Sequence, residues 1–335
     1  GGRLAGALPS GGGDPLSAPL VEARAVTRRY PLKRTRLSGP VPMLTAVDDV
    51  SFTVQAGRSM GIVGESGSGK STLARLVMAL ERPDSGTIAF AGEDLNGLDE
   101  ADLRARRRHF QMVFQDPFSS LDPRMKIVDA IAEPLEVAEP ELTAAERRQR
   151  VAAMLDSVAL PGEALDRYPH EFSGGQRQRV ALARALITGP KLVIADEPVS
   201  ALDVSVQAQV LNLMADLREA RGLTYLFISH NLAVVEHVAD DVLVLYRGRV
   251  VEYGETSSVF DNPAHPYTRA LVDAVPGIDA NEARERVRLR DDGGKASGGC
   301  GFAGRCPFAA DRCRTEVPPL HDHGGRKVAC HLAGS

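Results

Sequence analysis

The sequence predicts an α/β fold built on a doubly wound parallel sheet. Predicted strands and helices alternate from residue 58 to about residue 250, apart from a helical insertion, and this alternation is typical of such a core. Two short apolar runs, KLVIADEP and LTYLFISH, indicate parallel strands buried on both faces. A third run, SMGIVGESGSGKS, breaks into a glycine-rich turn that opens an amphipathic helix.

The residues before this core are predicted to form a linker and two strands. Residues 1–20 are rich in Gly, Pro, Ser and Ala, so we expect them to be flexible. From Val21, VEARAVTRRY alternates apolar and polar residues as an edge strand does, and VDDVSFTV is the second strand. The chain begins with Gly rather than Met, which indicates either a trimmed start or part of a longer chain.

Helices are predicted after the glycine-rich turn and in the middle of the chain. PDSGTIAFAGEDL between them is typical of a hairpin after a turn. Thr143 and Glu146 match a capping box, which opens a helix in the largely helical middle segment. The first helix has a stripe of apolar residues at helical spacing, formed by Leu73, Leu76, Val77 and Leu80.

The composition excludes several classes of protein. No apolar run of about 18 residues lacks a charge, and no basic segment followed by an apolar one marks an export signal. We therefore expect a soluble protein. The net charge of −4 argues against a nucleic-acid partner, which usually meets a basic surface. All four cysteines lie at or after residue 300, unlike a secreted disulfide framework.

The turn GESGSGKS matches the phosphate-binding pattern G-x-x-x-x-G-K-[ST], with the required strand before it and helix after it. Its glycines let successive N–H groups and the helix N-terminus point at phosphate oxygens. Lys70 is expected to reach the β- and γ-phosphates of ATP, and the Ser71 hydroxyl to bind Mg²⁺. The predicted ATP-binding residues here are Gly64, Glu65, Ser66, Gly67, Ser68, Gly69, Lys70, Ser71 and Thr72.

Two acids end the strand KLVIADEP. Asp196 is the natural second ligand of Mg²⁺, directly or through water. Glu197 is the candidate general base, because it would lie within reach of a water that attacks the γ-phosphate.

A second glycine-rich helix start, FSGGQ, precedes that strand. Ser173, Gly174 and Gly175 stand at a helix N-terminus, which makes an anion site that the first loop does not need. Two phosphate sites with one nucleotide loop predict a dimer, in which each SGGQ closes on the nucleotide bound by the other subunit.

These motifs, in this order, resemble those of the ATPase subunit of an ABC transporter. The resemblance spans Val21 to Glu255 and implies an ABC-type P-loop domain with a RecA-like core, an antiparallel β subdomain and a helical subdomain at 116–171. It implies roles for further residues: Gln115 in the Q-loop, touching Mg²⁺; Ser173 to Gln176 in the signature; Asp203 in the D-loop; His230 as the switch histidine at the γ-phosphate; and Tyr30 stacked on adenine.

A subfamily is also indicated. Two segments resemble those of the F-type ATPase of dipeptide, oligopeptide and nickel importers. They are NPAHPYTRALVDAVP and MVFQDPFSSLDPRM. The resemblance implies a heterodimer with a D-type ATPase subunit or domain. The pair would lie below two transmembrane permeases at the cytoplasmic face of the plasma membrane, fed indirectly by an extracellular binding protein. Import of nickel or another solute, and a non-transport ABC ATPase of DNA repair or translation, stay as alternatives.

The cysteines lie in the tail, residues 256–335. Cys300, Cys306, Cys313 and Cys330 lack the paired C-x2–4-C spacing usual for structural zinc. Four thiolates can instead ligate an iron–sulfur cluster, and some peptide-importer ATPases have a [4Fe-4S] site there, which this arrangement resembles. Because the tail is poor in apolar periodicity, we expect such a metal centre, or zinc as the alternative, to fold it. Free thiols or disulfides are the remaining possibility.

Overall fold

The protein, described by a computed structural model for residues 18–33, 41–116, 120–275, 289 and 298–333, contains two β-sheets in these ranges. Within them, no helix is long and apolar enough to cross a membrane. The segment that the sequence predicts to be flexible, residues 1–20, lies outside the described residues up to residue 17.

The N-terminal sheet has four antiparallel strands. The strand that begins at Val21 pairs with a neighbour on each side, so the expectation of an edge strand was wrong. Its alternation reflects one buried and one solvated face, which an inner antiparallel strand also shows. The predicted hairpin is confirmed by the last two strands. In sheet order the strands are β2 (Met43–Val54), β1 (Val21–Pro31), β4 (Ser85–Phe90) and β5 (Glu93–Asp94).

The central sheet has eight strands in the described ranges. Five adjacent strands of this sheet run parallel to one another. Every residue of the strand that contains Tyr225 and Phe227 is buried, as its continuous apolar run predicts. In sheet order the parallel strands are β9 (Asp241–Tyr246), β3 (Ser59–Val63), β8 (Thr224–Ser229), β7 (Leu192–Asp196) and β6 (Phe110–Val113).

Helices pack on both faces of this sheet. The helices of the described ranges are α1 (Lys70–Val77), α2 (Glu100–Arg107), α3 (Ile127–Ala138), α4 (Ala144–Ser157), α5 (Gly174–Leu186), α6 (Val204–Arg221), α7 (Leu232–Val238), α8 (Thr256–Asp261), α9 (Pro266–Asp273) and α10 (Asp311–Thr315). Val193 and Ala195 of β7 pack in the core that includes α6, whereas Leu192 and Ile194 pack in the core that includes α1. This alternation confirms the doubly wound arrangement.

Two predicted helix boundaries can be compared with the structure. Thr143 and Glu146 form the predicted capping box of α4: the Thr143 N–H donates to Glu146 Oε2 at 2.8 Å, and the Glu146 N–H donates to Thr143 Oγ1 at 3.3 Å. The apolar stripe of α1 is shorter than predicted. The helix ends at Val77, and Leu80 beyond it is 51% exposed.

The C-terminal residues extend the central sheet. β10 (Arg249–Glu255) pairs antiparallel with β9, β12 (Arg326–Val328) pairs with β10, and β11 (His321–His323) completes the edge. Phe302 from the same region is 1% exposed in a core that it shares with β9 and α9. The tail therefore packs into a core that it shares with strands of the central sheet instead of building one of its own.

Candidate functional site

The glycine-rich turn between β3 and α1 leads into a helix whose first backbone amides are open. Gly67 and Gly69 have φ angles of 77° and 106°, a left-handed region that favours glycine. A Cβ on Gly69 would lie 2.2 Å from the Ala46 carbonyl oxygen. No side chain caps α1, so its first amides are open to a ligand. Ser68 Oγ is buried without a hydrogen-bond partner in the described part of the chain. The loop thus fits a phosphate group.

Lys70 folds back onto this loop. Its Nζ donates to the Gly64 carbonyl at 2.7 Å and to the Glu65 carbonyl at 3.0 Å. Burial lowers the pKa of Lys70, and the nearby carboxylates of Glu197 and Asp196 oppose this effect. The ammonium group is therefore held beside the open amides by groups that a phosphate oxygen can replace.

Asp196 lies at the end of β7, facing the start of α1. Its carboxyl group is hydrogen-bonded to the Ser71 side chain; burial raises the pKa of Asp196, and the charge of Glu197 adds to this. A carboxylate beside a hydroxyl, next to a phosphate loop, provides the oxygen ligands that Mg²⁺ prefers. The structure therefore brings together two of the three predicted magnesium ligands.

Glu197 is the centre of a hydrogen-bonded group of three predicted residues. Its Oε2 accepts from Gln115 Nε2 at 2.9 Å, and its Oε1 lies 2.8 Å from His230 Nδ1. The Glu197 backbone has a φ of 47°, a conformation uncommon for residues other than glycine, and its N–H donates to the Ile228 carbonyl of β8 at 2.8 Å. Residues from three separate segments thus converge on one carboxylate.

Most of these groups line one cavity of about 1020 Å³, although Asp196 is not among its lining residues. Tyr30 lines its edge, where the Tyr30 hydroxyl donates to Glu81 Oε2 at 2.5 Å and the guanidinium of Arg28 lies 4.9 Å from the ring centre. The cavity is lined by Tyr30, Met43, Leu44, Thr45, Ala46, Ser66, Gly67, Gly69, Lys70, Ser71, Thr72, Gln115, Glu197, His230 and Arg247.

The FSGGQ segment lies elsewhere in the chain. Ser173 is the N-cap of α5 and forms a capping box with Gln176: the Ser173 N–H donates to Gln176 Oε1 at 3.0 Å, and the Gln176 N–H donates to Ser173 Oγ at 3.4 Å. A Cβ on Gly175 would lie 2.4 Å from Val206 Cγ1 of α6. None of Ser173 to Gln176 lines the cavity that contains Lys70.

Asp203 caps α6. Its Oδ1 accepts from the Ser205 hydroxyl at 2.7 Å and from the Val206 N–H at 3.0 Å, and the Ser205 hydrogen bond lowers the pKa of Asp203. Asp203 likewise does not line the cavity.

Comparisons with known proteins decide the family. A family model described as ABC transporter matches residues 47–200, and one described as oligopeptide/dipeptide transporter, C-terminal region, matches residues 251–313. The chain is 49% identical over 317 residues to the di/tripeptide transport ATP-binding protein DppF of Pseudomonas aeruginosa, covering 94% of this chain and 98% of the relative.

The chain belongs to the ABC transporter ATPases. The dipeptide transport ATP-binding protein DppF of Escherichia coli is also similar, with 46% identity over 94% of this chain and 95% of that relative. A dimeric post-hydrolysis ATP-binding cassette bound to ADP and Pi has a TM-score of 0.63 and 28% identity, covering 70% of this chain and 98% of that one. The predicted ABC-type P-loop fold is confirmed, and ATP with Mg²⁺ is the expected ligand of this ABC ATPase.

The cysteine region does not form the predicted metal centre. No group of three or more His, Cys, Asp or Glu side chains could hold a metal ion in the described ranges, so neither a [4Fe-4S] cluster nor zinc is supported. The side chains are free thiols, and all except Cys300 are buried. Burial raises the pKa of Cys306 to about 11 and also raises the pKa values of Cys300 and Cys330. These residues are Cys300, Cys306, Cys313 and Cys330.

Three residues near the nucleotide loop of this ABC ATPase were missed by sequence reasoning. Arg247 lines the cavity, and Tyr267 and Arg305 bind Glu65. Tyr267 lies in the NPAHPYT segment, which the sequence singled out only as a subfamily marker. No pattern in the sequence marks Arg247 or Arg305.

Proposed function

We propose that this ABC ATPase is the ATP-hydrolysing motor subunit of an importer of di- or oligopeptides, bound to two permeases at the cytoplasmic face of the membrane. The match of residues 251–313 to the C-terminal region of oligopeptide/dipeptide transporters supports this role. So do the relatives from Pseudomonas aeruginosa, Haemophilus influenzae and Escherichia coli, all named as di- or tripeptide transport ATP-binding proteins. These names favour peptide import over the alternatives of nickel import, DNA repair and translation.

In the proposed site, Lys70, the open first amides of α1 and the loop residues Gly64 to Thr72 hold the phosphates of ATP, and Tyr30 faces the adenine. Ser71, Gln115 and Asp196 would hold Mg²⁺, which when bound neutralises part of the phosphate charge. The burial of Lys70 supports this assignment, because a charge acts more strongly where water is excluded.

Glu197 is proposed to accept a hydrogen bond from the attacking water and orient it, as the general base. The observation that carries this assignment is the pair of hydrogen bonds that fix both carboxylate oxygens, one with Gln115 and one with His230. A carboxylate held at both oxygens is pre-organised, which avoids the cost of ordering it during the reaction. His230 would also contact the γ-phosphate.

Ser173 to Gln176 and Asp203 are proposed to act on the nucleotide of a second subunit, for which we infer a D-type ATPase. They lie outside the cavity of their own chain, which supports action on a nucleotide bound by another subunit. The likeness to a dimeric cassette supports this arrangement. On this proposal residues 21–255 are the ATPase domain, 116–171 the helical subdomain that receives the permeases, and 256–335 the tail.

The assignment of Glu197 is tested with Glu197→Gln. We expect retained ATP affinity and a loss of turnover of about 10²–10⁴-fold, the usual contribution of a general base. Glu236→Gln, an exposed acid on α7, is the matched control and should hydrolyse ATP as the wild type does. Near-normal ATP hydrolysis by Glu197→Gln would refute the assignment of Glu197 as the general base.

The transport role is tested in cells that lack this gene. Uptake of a radiolabelled dipeptide should return with the wild-type gene and not with Glu197→Gln. Restored uptake of ⁶³Ni²⁺ without restored peptide uptake would refute peptide import and leave the ATPase assignment standing.

A further inference from the structure

The C-terminal tail forms hydrogen bonds with the phosphate loop at Glu65. Arg305 Nη1 donates to Glu65 Oε2 at 2.8 Å, and the Glu65 N–H donates to the Tyr267 hydroxyl at 2.8 Å. The tail therefore holds both the side chain and the backbone of the second residue of the loop.

Both tail residues are themselves fixed. Tyr267 is 1% exposed, and its ring centre lies 4.6 Å from that of Tyr246 and 5.4 Å from that of Phe302. Its N–H donates to Nδ1 of His265, the N-cap of α9, at 3.0 Å. The Arg305 side chain is only 22% exposed. The backbone N–H of Arg305 donates to the Phe302 carbonyl at 3.0 Å. The contacts with Glu65 thus come from packed groups with little freedom to move.

The Glu65 peptide passes these contacts on to the phosphate loop. Its carbonyl accepts from Lys70 Nζ at 3.0 Å and from the Ser68 N–H at 3.1 Å. A shift of Glu65 therefore moves groups of the anion site directly.

Arg305 also affects the charge at this site. Glu65 places a carboxylate beside a loop that binds an anion, and a like charge there opposes phosphate binding. The guanidinium of Arg305 compensates that charge. Partly exposed ion pairs contribute modestly to stability, so the effect should appear in nucleotide affinity more than in folding.

We propose that Tyr267 and Arg305 are positioning residues for ATP: through Glu65 they hold the phosphate loop in its binding conformation and offset the charge beside it. This inference rests on the nucleotide site proposed above. It gives the tail a part in the ATPase cycle that needs no metal.

The test is a titration of the full chain with mant-ATP and Mg²⁺. Arg305→Gln should raise the Kd three- to tenfold, and Arg305→Lys should recover most of the affinity. In a Glu65→Gln background, Arg305→Gln should have no further effect, because the charge that it leaves unpaired is absent. Arg312→Gln is the matched control: Arg312 is an exposed tail arginine paired with Glu316, and its loss should leave the Kd unchanged.

Tyr267→Phe tests the backbone contact, since it removes the hydroxyl and keeps the packed ring. We expect a two- to fivefold higher Kd with an unchanged thermal unfolding midpoint of the tail. An unchanged Kd in both Arg305→Gln and Tyr267→Phe would overturn the proposal. The proposal would also be overturned if Arg305→Gln raised the Kd by the same factor in the Glu65→Gln background. Arg305 would then affect ATP binding through the stability of the fold and not through Glu65.

Lys70→Ala separates this inference from the proposed site itself. If Lys70→Ala abolishes mant-ATP binding while the Arg305 and Tyr267 variants bind normally, only the inference fails. If Lys70→Ala binds normally, the nucleotide site is wrongly assigned and the inference fails with it.

Discussion

Phe302→Ala should detach the C-terminal tail from the ATPase core. Phe302 is 1% exposed, and its ring centre lies 5.2 Å from that of Tyr246, 5.4 Å from that of Tyr267 and 5.8 Å from that of His265. Replacing a buried Phe with Ala typically costs about 3–5 kcal/mol, from lost transfer free energy and the cavity left behind. Because aromatic pairs add about 0.5–1.5 kcal/mol to the free energy of unfolding, the packing of Phe302 against neighbouring rings places its replacement toward the upper end of this range.

Native-state hydrogen exchange measures this loss where it occurs. The Ala329 N–H donates to the Val251 carbonyl at 2.9 Å, where the tail joins β10. A loss of about 3–5 kcal/mol in the free energy of local opening accelerates its exchange by roughly two to nearly four orders of magnitude. Amides of β8 in the middle of the central sheet should exchange as in the wild type.

Phe308→Ala is the matched control for this experiment. Phe308 lies in the same region but is 50% exposed, so its removal should change the opening free energy by less than about 1 kcal/mol. If Phe302→Ala changed Ala329 exchange no more than Phe308→Ala does, apolar packing would not be what holds the tail.

Two further predictions follow from the site and the tail. Burial lowers the pKa of His265 to about 3, so the unfolded chain binds the extra proton between pH 6.5 and 3, and stability is lost as the pH falls through this window, by about 2 kcal/mol at pH 5. His265→Asn keeps a helix cap and should lack this loss of stability when unfolding by urea is measured at each pH. Burial also raises the pKa of Glu252, but this contribution is common to both proteins and cancels in the comparison. An equal change of unfolding free energy with pH in the two proteins would contradict the prediction. Gly69→Ala should weaken ATP binding at least about tenfold, because its Cβ would lie 2.2 Å from a backbone oxygen at a φ of 106°; Gly92→Ala, with a φ of 83° and open space around it, is the control that should lose stability and keep affinity in the same mant-ATP titration.

Much of the site was predictable because its parts are local in sequence. The pattern GESGSGKS specifies glycines at positive φ, a helix N-terminus and a lysine within a single turn. The capping boxes at Thr143 and Ser173 each join residues three positions apart, so they too can be read directly from the sequence.

The mistaken expectations have physical causes. The alternation of β1 shows that one face is buried, but not how many neighbours the strand has, so the pattern does not distinguish an inner strand from an edge strand. The composition of the tail by itself indicates too few apolar residues to fold without metal. In the structure its few apolar side chains complete a core that the ATPase domain already provides.

The sequence alone predicted a phosphate-binding loop with Lys70, buried parallel strands that position this loop, and a resemblance to ABC ATPases, because each depends on short patterns of backbone geometry and polarity. Only the tertiary structure decided which distant residues meet. Gln115 and Glu197 are 82 positions apart, and Glu65 and Arg305 are 240 apart. Such contacts depend on how strands are ordered and how the tail packs, and a single charged residue leaves no periodic trace of its partner.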